Sequence, residues 1–251
     1  MNLPVTAVSC VAGAAAGALS GAAAVAVERV ERLREEEDEE RLAYQRDVAE
    51  AAAAAEKESR PQPDAPPWRD EQYGWTWLER WLAPLLTAAL YGAFAAREGP
   101  GRGLLIHFLW IAVFVHIVAF DLKHRLILNR ITYPAIVLAL LLSPVTPGLS
   151  LLRALIGGAA VFLFFFAQNL LSRGSIGLGD AKLGALVGAI TGLSLDGGDL
   201  RAVYAAFYAI LLGGGIAILL VITRLRRLKD PIPYGPFLCA GAALVLYQTP
   251  S

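Results

Sequence analysis

The chain is poor in charge and in cysteine. Only 18% of its 251 residues are Asp, Glu, Lys or Arg, where a soluble domain carries about 25%. The net charge is zero, so nothing in the balance argues for a nucleic-acid partner. Its two cysteines, Cys10 and Cys239, stand far apart inside apolar runs. No C-x-x-C pair exists, which excludes a cysteine-based zinc site and a disulfide framework; both read as small buried apolar residues. Histidine is scarce as well. His107 and His116 share no i, i+4 face, so they do not form a two-histidine metal site, and His124 reads as solvated in a basic loop. No metal is expected.

What is present is hydrophobic: 56% of the residues are apolar. A bilayer core about 30 Å thick calls for about 20 apolar residues of helix. Eight segments approach that length: Leu3–Val27, Trp81–Ala96, Leu104–Phe120, Ile131–Leu142, Leu151–Leu171, Ala181–Leu193, Val203–Ile222 and Pro233–Tyr247. The fold class expected is all-α, a polytopic membrane helical bundle of about eight transmembrane helices. The first segment lacks a basic leading region and reads as a retained span rather than a signal peptide. Gly13, Gly17 and Gly21 recur every four residues along it and would give a smooth face for close helix packing.

The charge that exists is concentrated between Glu28 and Arg80. Residues 28–60 are rich in Glu, Arg and Ala and read as a solvated helix. Pro61, Pro63, Pro66 and Pro67 break it, and Trp68, Trp75, Trp77 and Trp81 then suit a headgroup layer. The chain therefore divides into an N-terminal span (1–27), a charged cytoplasmic helical insertion with a Pro/Trp-rich linker (28–80), and a membrane-embedded core (81–251).

Short-loop charge gives an orientation. The loops at 121–130, 172–182 and 223–231 hold Lys123, Arg125, Arg130, Arg173, Lys182, Arg224, Arg226, Arg227 and Lys229. The alternate loops hold only Arg97, Arg102 and Arg201. The basic set belongs on the cytoplasmic side, with the charged insertion, and both termini then face outward.

Two acids fall at span ends on that side. Asp121 closes the run WIAVFVHIVAFD, and Asp180 opens GDAKLGALVGAITG. An acid at the margin of the apolar layer costs less than one at its centre but still marks a candidate site. Gly177 and Gly179, in SIGLGDAK, allow a sharp bend and close approach of a substrate strand. They leave Asp180 near a helix start, where amides and dipole favour an anion. Lys182 reads either as a partner that tunes Asp180 or as a snorkelling, orientation-setting lysine. Tyr234 and Pro236 read as a helix break beside the site or as ordinary helix entry.

With these residues in view, the chain resembles the type IV prepilin peptidases. FDLKHRLILNRIT is similar to that family's first motif, with Asn129 placed after Asp121 as the pattern has it and Leu128 where proline is usual. GLGDAKLGALVGAITG is similar to the second, a GxGD followed by lysine and leucine, and PIPYGPFLCAGA to the closing segment. The family's element of two cysteine pairs is missing; the charged insertion stands in its place.

The resemblance implies an aspartic endopeptidase of the cell inner membrane, multi-pass, with its site near the cytoplasmic face. Its catalytic residues would be Asp121 and Asp180, supported by Gly177, Gly179, Lys182 and Asn129. Its partners would be a prepilin or pseudopilin with a basic leader, and the lipid bilayer. No cofactor is implied for cleavage, and S-adenosylmethionine only if the family's N-methylation is retained. Two other readings of the acids are a presenilin-like or signal-peptide-peptidase-like GxGD protease and a small transporter with paired acids. The first usually carries Pro-Ala-Leu where this chain has Pro-Tyr-Gly-Pro; the second often shows internal repeats, and none is evident.

Overall fold

A computed structural model describes residues 3–54, 76–171, 177–223 and 233–249. Every regular element among them is helical: α1 (Leu3–Ala54), a π-helical segment (Leu78–Leu82), α2 (Ala83–Arg97), α3 (Arg102–His124), α4 (Asn129–Leu142), α5 (Leu151–Leu171), α6 (Leu178–Thr191), α7 (Arg201–Ile222) and α8 (Gly235–Gln248). The chain folds as a helical membrane bundle. Four helical stretches are long and apolar enough to cross a bilayer by themselves: Val5–Val30, Arg102–His124, Leu151–Leu171 and Arg201–Ile222.

The helices α4, α6 and α8 have 14 residues each. At 1.5 Å per residue each is about 21 Å long, short of a full crossing. The expectation of about eight spans thus resolves into four long apolar helices and a set of shorter ones within one bundle. α6 needs no lipid-matched length because protein surrounds it. Its face from Ala181 to Thr191 is largely buried, with Leu183, Leu186 and Val187 fully so.

Small residues set the spacing of the bundle, since lipid gives apolar helices no hydrophobic drive to associate. A Cβ at Gly13 would sit 2.7 Å from the Thr87 carbonyl oxygen, and one at Gly17 would sit 2.5 Å from that of Ala83. The glycine face read from the sequence is the α1–α2 contact. Gly157 and Gly188 bring α5 and α6 together in the same way, and Gly241 lets α8 meet Ala205 of α7.

α1 does not stop where the charge begins; its helix runs on to Ala54. Ser9, Gly13, Gly17, Gly21, Ala24 and Glu28 lie buried along one face. The proline-rich linker, with Pro61, Pro63, Pro66 and Pro67, and the tryptophans Trp68 and Trp75 lie outside the described residues. Trp77 and Trp81 are exposed.

The bundle has two distinct ends. At one, Arg97 donates to the Gln248 carbonyl at the end of α8. Arg201 is bidentate on Asp199 and donates to the Gly148 carbonyl, and Arg153 lies near the same acid. The starts of α4, α6 and α8 and the last turn of α3 form the other end, with Lys123, Arg125, Arg130 and Lys182. Arg173, Arg224, Arg226, Arg227 and Lys229 lie outside the described residues.

Candidate active site

Asp121 sits one turn before the end of α3. The helix closes at Arg125, a non-glycine residue in the left-handed region (φ 55°, ψ 35°), whose N–H donates to the Asp121 carbonyl at 2.8 Å. The Asp121 side chain is buried, 3% exposed. Its Oδ2 accepts a hydrogen bond of 3.0 Å from the backbone N–H of Gly235, the first residue of α8. The carboxylate therefore meets the amide end of another helix, where dipole and donor both favour its anion. Gly235 admits this approach because it has no side chain: a Cβ there would lie 2.6 Å from Oδ2.

Asp180 occupies the third position of α6, and its Oδ2 accepts from the Gly177 N–H at 3.1 Å. This is half of a capping box, since glycine offers no side chain in return. Each acid thus rests on the N-terminus of a short helix, α8 for Asp121 and α6 for Asp180. The Asp121 charge acts on Asp180, which also lies within electrostatic reach of Tyr234. Tyr234 directly precedes Gly235, so the start of α8 lies beside both carboxyls. Its ring is near those of Phe165 on α5 and Phe237 on α8, and against Gly213 of α7.

The remaining residues singled out from the sequence gather on the same end. Lys182 donates to Asn129 Oδ1 at 2.9 Å and stands 5.3 Å over the Tyr133 ring. It ties α6 to the start of α4. Gly179 lies against Ile127; a Cβ there would come within 3.2 Å of the isoleucine Cβ. Gly177 and Gly179 flank Leu178 at the entry to α6, while Ser175 and Ile176 lie outside the described residues.

Two residues escaped the sequence reading. Gly235 was visible only as part of a helix break, although glycine followed by proline at a helix start is a signal of close approach. Glu28 read as the first residue of a solvated arm. It is buried, 3% exposed, and its Oε1 contacts both Lys123 Nζ and His124 Nε2 at the end of α3. His124 is accordingly not solvated, contrary to the loop reading: α3 extends to it, and its ring packs 4.6 Å from that of Phe120. His107 pairs with Glu98 at 2.8 Å, at the opposite end of α3. His116 bonds to Ser20 of α1 through its carbonyl and hydroxyl.

A bundle of apolar helices with two acids meeting at one end defines a polytopic membrane protein with a candidate acid–acid site. Residues 107–218 match the type IV leader peptidase family, and over that stretch the chain is similar to it. The match contains Asp121, Asn129, Gly177, Gly179, Asp180 and Lys182. The chain is 31% identical over 165 residues to a prepilin leader peptidase/N-methyltransferase of Bacillus subtilis, covering 64% of this chain and 63% of that protein. It is 31% identical over 170 residues to the protein of the same name from Aeromonas hydrophila, covering 66% of this chain and 57% of the relative. For the Burkholderia pseudomallei protein of that name the identity is 29% over 171 residues, covering 66% and 53%. The chain thus matches less than two thirds of the length of each. No solved structure matches it.

Proposed function

We propose that the protein is an aspartic endopeptidase of the cell membrane that removes basic leaders from prepilin-like proteins at the cytoplasmic face. The observation that carries this reading is the pairing of Asp121 and Asp180 at one end of the bundle. They come from different helices, each is held at a helix N-terminus, and the charge of one acts on the other. The relatives' names support the substrate class, and the basic loops at this end support its orientation. In this reading residues 81–251 form the peptidase core and residues 28–80 a cytoplasmic insertion.

Two neighbouring carboxyls in a poorly solvated site do not both ionise readily. One, protonated, donates to the scissile carbonyl. The other, ionised, takes a proton from a water, whose oxygen then attacks the carbonyl carbon. Collapse of the tetrahedral adduct breaks the C–N bond, and the leaving amine takes up the proton. The pair titrates jointly, so neither role belongs to one residue alone. Gly179 lets the start of α6 close on Ile127, and Lys182 with Asn129 braces the α4–α6 side.

Cleavage by this route uses no cofactor. S-adenosylmethionine would supply a methyl group to the new N-terminus, and its amino acid moiety and ribose call for polar partners. Among the described residues, two cavities of about 440 and 370 Å³ are walled by apolar side chains such as Leu86, Ile111 and Leu244, or Val161 and Phe207, with no charged residue. Neither of these two fits that donor, and no methylation step is derived.

The test is incubation of the purified protein with a prepilin-like substrate, with the products identified by mass. A single cut after the basic leader is expected. Intact substrate, at confirmed folding of the protein, would overturn the proposal and favour the transporter reading.

A further inference from the structure

The buried cluster of Glu28, Lys123 and His124 joins two parts of the chain that the cleavage reading leaves separate. Glu28 ends the small-residue face of α1 and lies against the last turn of α3, 96 residues away in sequence from His124. The side chains are 3% exposed for Glu28, 4% for Lys123 and 10% for His124. A carboxylate enclosed in this way, with one oxygen shared by two nitrogens, is a fixed point rather than a surface pair.

What it fixes is the turn that carries Asp121. The last carbonyls of a helix lack partners within it, and terminal turns fray. Here the Asp121 carbonyl is capped by Arg125, whose left-handed conformation is disfavoured for any residue with a Cβ. A turn closed in this strained way gains from being held from outside. Of the three residues inside that turn, Lys123 and His124 are held by Glu28. Next to them, the Asp121 carboxylate meets the Gly235 N–H across a gap with no slack.

We propose that Glu28 is a positioning residue: by gripping Lys123 and His124 it locks the last turn of α3 and so fixes the Asp121 carboxylate for reaction. The proposal rests on the peptidase reading. It also gives α1 a place in the machinery, because the same continuous helix carries the charged arm up to Ala54.

The test compares wild type, Glu28→Gln, Glu28→Asp and the double variant Glu28→Gln/Lys123→Met. Asp121→Asn is the inactive control, and kcat, KM and thermal melting in detergent are measured throughout. Glu28→Gln alone removes the buried charge that faces Lys123 and His124 and is expected to melt early. The double variant removes the acid and the Lys123 base together, leaves an amide that can bond His124, and is expected to keep the fold. It should show wild-type melting and KM, with kcat about ten- to a hundredfold lower, the scale expected of a misplaced reacting group. Glu28→Asp, which retains the charge, should keep more of kcat than Glu28→Gln. Wild-type kcat in the double variant, or a loss that tracks only the fraction of folded protein, would overturn the proposal. If wild type itself does not cleave, the peptidase reading fails instead, and the control separates the two cases.

Discussion

Gly235 shows how tightly the candidate site is drawn at the level of single atoms. Its backbone is not in the left-handed region, so alanine costs nothing in conformation there; the cost is steric, a Cβ 2.6 Å from Asp121 Oδ2. Gly235→Ala should displace the carboxylate and lower cleavage about a hundredfold while the protein stays inserted and abundant. Activity assayed against protein level checks this. The two aspartates were legible in the sequence because hydropathy makes an acid at the edge of an apolar run conspicuous. Asn129 and Lys182 were legible as motif members, though not as partners of one another. The role of Gly235 was hidden, since a missing side chain announces only that something comes close, not what. Glu28 was misread because a charge is placed in water by default. Its burial depends on α3 bringing two basic side chains to meet it, a contact that no local pattern encodes. Its register on the face of Gly13, Gly17, Gly21 and Ala24 was nonetheless there to be seen.

Among the helices, small residues and length decide which neighbour each one takes. The i, i+4 glycines of α1 foretold a close contact, and α2 is the helix that fills it. In α3 the apolar run stops at Phe120 while the hydrogen-bonded helix continues to His124, whose side chain and that of Lys123 meet Glu28. Backbone contact makes some glycines irreplaceable and leaves others free. A Cβ at Gly188 would lie 2.1 Å from the Gly157 carbonyl oxygen, whereas one at Gly215 meets nothing within 4 Å. Gly188→Ala should therefore push α5 from α6 and cost about 1–3 kcal/mol through overpacking. Gly215→Ala should be neutral or stabilise by about 0.4–1 kcal/mol, by restricting the unfolded chain. Thermal melting of the two variants in the same detergent distinguishes them; equal melting would mean that the α5–α6 contact is looser than drawn.

For the molecule as a whole, the fold class and its two-ended charge pattern were legible because a bilayer allows few backbone solutions and basic loops mark one side. The number of full crossings was not, because helices sheltered by protein need not match the bilayer. α6 is the case in point. The composition of the arm beyond Glu28 cannot bury a core of its own. Deleting residues 35–67, with Glu28 retained, should leave cleavage within about tenfold of wild type, well above any variant that misplaces a reacting group. Loss as deep as that of an aspartate variant, in well-folded protein, would place the arm in the active site.

The most direct measurement compares cleavage of a prepilin-like substrate by wild type, Asp121→Asn, Asp180→Asn and the double variant, at matched protein level. Asparagine keeps the shape of each side chain but cannot pass a proton to water or the leaving amine. If the acids act as one unit, each single variant abolishes cleavage and the double variant is little worse than either, because the second loss removes nothing that still works. Substantial cleavage by either single variant at normal abundance would contradict the two-aspartate mechanism.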